Sequence, residues 1–125
     1  MARFQEERTQ RKYILLRKKE EEEVTKLLAD RYGIPYIDLA VFPIELDALK
    51  IVSESSSRTA DNAIIRATGK HLSIAIHNPN KPETQTILNR LKEDGYTYEL
   101  FIASKSSLEH AWEMYRKIQE IRQME

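Results

Sequence analysis

The chain has 125 residues, 20 of them basic and 20 acidic, so its formal charge is zero. That balance argues against a life on nucleic acid or anionic lipid, which reward a basic excess. The absence of cysteine excludes disulfides and thiolate metal sites and makes a reducing cytoplasm the expected home, and no run approaches the ~20 apolar residues of a membrane span.

Residues 5–32 read as one helix, uninterrupted by Gly or Pro, with Gly33 and Pro35 as the stop. Its N-terminal apolar run, Tyr13 to Leu16, is too short for a signal peptide. The charged stretch RKKEEEE, Arg17 to Glu23, allows Arg17–Glu21, Lys18–Glu22 and Lys19–Glu23 pairs at i,i+4 and reads as a solvated face. Val24, Leu27, Leu28 and Tyr32 follow at helical spacing, so the segment from Val24 to Tyr32 is expected to pack on the core.

Ile34 to Leu39 is short, apolar and extended, because a residue before proline avoids the α region. Pro43 and Glu45 open a short helix carrying Leu46, Leu49 and Ile51, and Ser53 starts a capped turn in SESSSRTAD. Ala63–Ala67 and His71–His77 are strands joined through Thr68-Gly69-Lys70 as a hairpin, with Leu72, Ile74 and Ile76 on one face of the second. The turn HNPNKP leads into a helix with the stripe Thr84, Ile87, Leu88 and Leu91, stopped by Gly95. In that turn Asn80 and Glu83 have capping spacing. Tyr98, Leu100 and Ile102 alternate in a third strand, parallel to the second because a helix separates them. Ser104 or Ser106 caps a last helix, Ser106 and Glu109 having capping-box spacing, with the stripe Leu108, Ala111, Trp112, Tyr115 and Ile118. That helix runs on through IQEIRQME without a stop signal, so the native chain is expected to continue.

Little here is reactive. Gly69-Lys70 is no phosphate-binding Walker A loop: Ile64 and His71 stand where Gly and Ser or Thr are needed, and the loop joins strand to strand. His71 and His77 lie about 20 Å apart along one strand at ~3.3 Å per residue, too far to share an ion. No serine stands in a Gly-x-Ser-x-Gly elbow. Asp38, Glu45 and Asp47 read as surface acids. Neither catalytic residues nor a cofactor or metal site is expected. In HNPNKPE each polar residue has a structural role in turning strand into helix, so the turn reads as a corner rather than an anion site.

Three segments together resemble a known family. GIPYIDLAVFPIELDALKIV resembles the opening of the N-terminal domain of type II secretion and type IV pilus assembly ATPases, HLSIAIHNPNKPETQTILNRL its strand, turn and helix, and YTYELFIASKSSLEHAW its closing strand and helix. The resemblance runs from about Glu23 to Lys117. It implies a non-catalytic adaptor that precedes a motor domain and docks to the cytoplasmic part of an inner-membrane platform protein, at the inner face of the membrane, without inserting into it. The expected fold is α+β: a small sandwich of a three-stranded mixed sheet, hairpin plus parallel strand after a helix crossover, packed by helices and preceded by an N-terminal helical arm. The expected division is 1–33 arm, 34–119 adaptor domain and 120–125 a helical tail toward a downstream ATPase domain. Candidate contacts with the platform are Tyr13, Ile14 and Leu16 on the arm and Tyr36, Asp38 and Phe42 in the extended segment. Some relatives bind cyclic di-GMP through an Arg-Leu-Gly motif; here Arg3-Phe4 lacks the following glycine, which places a cyclic di-GMP regulatory domain second to the adaptor. A nucleic-acid module ranks below both, given the neutral charge and the absence of paired aromatics at stacking positions.

Overall fold

A computed structural model describes residues 2–124, with side chains from residue 7 onward. Among the described residues the order is helix α1 (Ala2–Tyr32), short helices α2 (Leu46–Leu49) and α3 (Glu54–Thr59), strands β1 (Asn62–Thr68) and β2 (His71–Ile76), helix α4 (Pro82–Glu93), strand β3 (Thr97–Ile102) and helices α5 (Lys105–Glu113) and α6 (Tyr115–Met124). The sheet order is β1-β2-β3, antiparallel between β1 and β2 and parallel between β2 and β3. This is the expected mixed sheet.

The local reasons are chemical. Gly69, with φ of +60°, takes the first of the two loop positions between β1 and β2, where a side chain would be strained. Ser53 and Ser104 accept hydrogen bonds from the amides of Ser56 and Ser107, capping α3 and α5. At the end of α4 the Tyr96 amide reaches back to the Leu91 carbonyl around Gly95, as helices ending in a left-handed glycine do. In HNPNKP it is Asn78 that shapes the turn, its Oδ1 accepting from the Asn80 amide at 2.9 Å. Lys81, not Asn80, is the N-cap of α4, without a side-chain cap, and Pro82 opens the helix. The expected Asn80–Glu83 cap is therefore corrected: Asn80 is one residue too early.

Both faces of the sheet are covered. Ile64, Leu72, Ile74, Ile76 and Ile102 pack with Ile87, Leu88 and Leu91 of α4 on one face. Ala63, Ile65 and Ala75 pack with Leu49, Leu108 and Trp112 on the other. Trp112 donates its indole N–H to the Asn62 carbonyl at 2.8 Å, which lets a polar ring atom sit in that core. The register shifts between Ile64 and Arg66, and there Glu45 meets the edge of β1: its amide donates to the Ile65 carbonyl and its carboxylate accepts from the Ala67 amide. Glu45 thus pairs an otherwise open strand edge rather than serving as a free surface acid.

Two expectations change. The single last helix is two, separated at Met114, where amide bonds to the third preceding carbonyl tighten the chain. And Val24 and Leu27 face solvent, while Thr25 and Ala29 are buried and Leu28 and Tyr32 half-buried. The side of α1 that meets the body is one residue away from the large apolar residues.

Candidate functional site

The extended segment after Gly33 runs along the outer edge of β3. Ile102 donates to the Pro35 carbonyl at 2.8 Å and Ile37 donates to the Ile102 carbonyl at 3.0 Å, a single parallel bridge at Tyr36. This fixes Tyr36 and Asp38 beneath α1. The Tyr36 hydroxyl donates to the Glu22 carboxylate, and the Lys26 ammonium lies 5.5 Å from the centre of its ring. Burial, then the hydrogen bond to Glu22 and the neighbouring carboxylate charges, push the phenol well above its ordinary pKa of 10.0, since the hydroxyl must keep its proton to donate.

One residue earlier in α1, Glu21 reaches across 85 residues of sequence. Its carboxylate accepts from the Ser106 hydroxyl at 2.6 Å and from the Ser106 amide at 3.1 Å. That amide is in the first turn of α5, where N–H groups lack helical partners and the helix dipole is positive, so a carboxylate is well placed. The acidic quartet is therefore not simply the solvated face expected of it. Glu21 bonds Ser106, Glu22 bonds Tyr36, and Glu23 pairs with Lys26 at 3.3 Å, in place of the expected partners Arg17, Lys18 and Lys19.

Between α1, the turn at 38–40 and the start of α5 lies an open cavity of about 280 Å³, lined by Lys18, Lys19, Glu22, Asp38, Ser106 and His110 among others. Asp38 shapes its floor by accepting from the Ala40 amide at 2.9 Å. Ile14 lies on the body-facing side of α1 just beyond the body, because 14, 18, 21 and 25 recur on one side of a helix. It is 53% exposed, and Val41, which follows the cavity-lining Ala40, is 80% exposed.

Of the sequence candidates, Tyr36 and Asp38 come together at this corner. Ile14 overhangs it. Tyr13 and Leu16 are exposed on another side of the same helix, and Phe42 is half-buried against the core of the opposite sheet face. The side chains of Arg3 and Phe4 lie outside the described ones. Glu21, Glu22 and Ser106 were missed because their contacts join distant segments; a serine-rich helix start was the only local hint. Among the described residues no cluster of three or more His, Asp or Glu is placed to hold a metal, and no helix is long and apolar enough to cross a membrane.

The comparisons agree with this architecture. The MshEN domain model matches residues 32–122. The type IV pilus assembly ATPase PilB of Myxococcus xanthus (strain DK1622) is 30% identical over 96 residues, 77% of this chain and 17% of PilB. The structure of MshE with cdg superposes with a TM-score of 0.66 at 27% identity, covering 74% of this chain and 66% of that one. The N-terminal domain of XpsE gives 0.58 at 15% identity, over 74% and 64%, a likeness of fold. The chain thus spans about a sixth of the curated relative it matches. It belongs to the MshEN domain family, whose model matches most of the chain.

Proposed function

We infer that this domain couples a pilus-assembly or secretion ATPase to its inner-membrane platform, at the inner face of the membrane, by protein contacts at the corner between α1 and the body. The observation that carries the reading is the pair of uncovered apolar side chains, Ile14 and Val41, one helical turn from Lys18 and next to Ala40 of a cavity whose walls are already tied together by Glu21 and Glu22. Such a corner is stiff, and a partner with an apolar ridge and acidic flanks would cover Ile14 while meeting Lys18 and Lys19. In this reading the partner is the cytoplasmic segment of the platform protein. In a pull-down with that segment, Ile14→Asp is expected to lose binding at least tenfold, about 1.4 kcal/mol. Unchanged binding would remove the corner from the interface.

A second reading has its own support: the MshE relative whose structure holds cdg, cyclic di-GMP. The cavity offers Lys18 and Lys19 to phosphates but also Glu22 and Asp38, which repel them. Titration calorimetry with cyclic di-GMP separates the readings. The adaptor reading expects no heat at micromolar ligand, and saturable heat there would make the domain a second-messenger sensor.

A further inference from the structure

The side of α1 that faces away from the body carries a stripe of its own. Side chains advance about 100° per residue along a helix. Tyr13, Leu16, Val24 and Leu27 therefore fall within about 80° of one another, opposite Thr25 and Ala29, which pack on the body. They are 60%, 59%, 55% and 69% exposed. Glu20 stands in the middle of the stripe, which runs about 21 Å at 1.5 Å per residue.

The charges along the helix come in two blocks. From Arg8 to Lys19 there are six basic residues and no acid, and then Glu20 to Glu23. Turning a second α1 antiparallel about Glu20 satisfies both patterns at once. Tyr13 then faces Leu27 of the second copy, Leu16 faces its Val24, and basic residues on the flank of each helix come beside acids on the same flank of the other. On the flanks Lys19 approaches Glu23 of the second copy, and Lys12 its Asp30. A parallel pair would set like charges side by side. The antiparallel pair also sends the two bodies to opposite ends.

We propose that α1 is a self-association helix, pairing antiparallel with α1 of a second copy through Tyr13, Leu16, Val24 and Leu27. Glu20 faces its own equivalent at the two-fold axis, which weakens the pair, as a polar residue in an apolar seam does. The seam is also shorter than a standard interface, so the association is reversible. Ile14 lies off this stripe and stays free for another partner. The proposal does not rest on the platform reading, because it is read in the purified chain alone.

Sedimentation velocity on the 125-residue chain across a concentration series is expected to show a monomer–dimer equilibrium. Glu20→Leu should tighten it about tenfold. Lys19→Glu should weaken it, and the double change Lys19→Glu with Glu23→Lys should restore it. The natural chain has no cysteine, so single-cysteine variants report the geometry. Glu20→Cys should form a disulfide dimer on mild oxidation. Tyr13→Cys should not do so alone, but should cross-link with Leu27→Cys when the two are mixed. A monomer at every concentration for both the natural chain and Glu20→Leu would overturn the proposal, as would cross-linking of Tyr13→Cys to itself.

Discussion

Asp61 has a φ of +46°, a left-handed conformation that among non-glycine residues suits Asp and Asn best. Its carbonyl accepts from the His77 amide, and its carboxylate receives the Lys81 ammonium at 2.9 Å and the Lys105 ammonium at 3.5 Å. Lys81 is the N-cap of α4 and Lys105 the first residue of α5, so one buried acid faces the positive ends of the two helices that follow the parallel strands. Burial alone would raise the carboxyl pKa, but the Lys81 hydrogen bond and the two ammonium charges outweigh it and hold the group below its ordinary 3.8. A carboxyl with a lowered folded pKa contributes stability that is present above 3.8 and is lost as pH falls through the folded value. Asp61→Asn keeps the backbone preference and removes the charge. It should cost about 1–2 kcal/mol at pH 7, discounted because both lysines are partly solvated. Thermal melts at neutral pH and well below the carboxylate range check this: the gap between natural chain and variant should close in acid. A gap independent of pH would mean that the charge contributes nothing.

At the scale of elements, the attachment of α1 shows what sequence patterning reads and what it does not. The strands, the hairpin, α4 and the parallel β3 follow from alternation, turn residues and helical stripes, because there burial and hydropathy coincide. On α1 they part. Thr25 and Ala29 are small, and a helix can approach the body closely only along a small-residue side, which leaves the bulkier Val24 and Leu27 outside. Hydropathy weights the large residues and so selects the wrong side. The division between α5 and α6 was equally hidden, since no Gly or Pro marks Met114. Next to it, Tyr115 sends its hydroxyl to the Leu49 and Val52 carbonyls, both at 2.9 Å, partners more than 60 residues away in sequence. The corner site shares this cause, because Glu21 and Ser106 meet only once the chain has folded. The clasp can be tested by itself. Glu21→Ala leaves the Ser106 amide to solvent and should cost about 1 kcal/mol, the worth of a lost cap. Amide exchange should quicken in α1 around residues 18–24 and at the start of α5, with β2 unchanged. Uniform quickening across the sheet would show that the clasp is part of the global core and not a local fastening.

For the whole molecule, the question is where the cooperative unit begins. From Glu7 to Glu20 every side chain of α1 is exposed, whereas Thr25 and Ala29 are buried and Ala29 belongs to the core cluster of the β2–α4 face. Length in water gives a helix little stability of its own; packing of one side supplies most of it. The helix should therefore be held by its last three turns, and its first half should depend on them or on a partner. Two truncations divide these contributions. A chain starting at Arg17 keeps Glu21 and every buried position of α1 among the described residues, and should melt at nearly the natural temperature when dilute enough for the helices to be unpaired. A chain starting at Ile34 loses Ala29 and the partly buried Leu28 and Tyr32, and uncovers the core beneath them. At about 25 cal/mol per Å² of apolar surface, that removes about 3 kcal/mol or more. Denaturant unfolding of both, compared through midpoint and slope, measures the difference. If the chain starting at Ile34 proved as stable as the natural one, residues 1–33 would be an arm in energetic terms too, and the boundary would lie at Gly33. If it is weakened as expected, the body includes the last turns of α1. Only the first half is then a free lever, carrying Ile14 toward one partner and the Tyr13–Leu16 edge toward another.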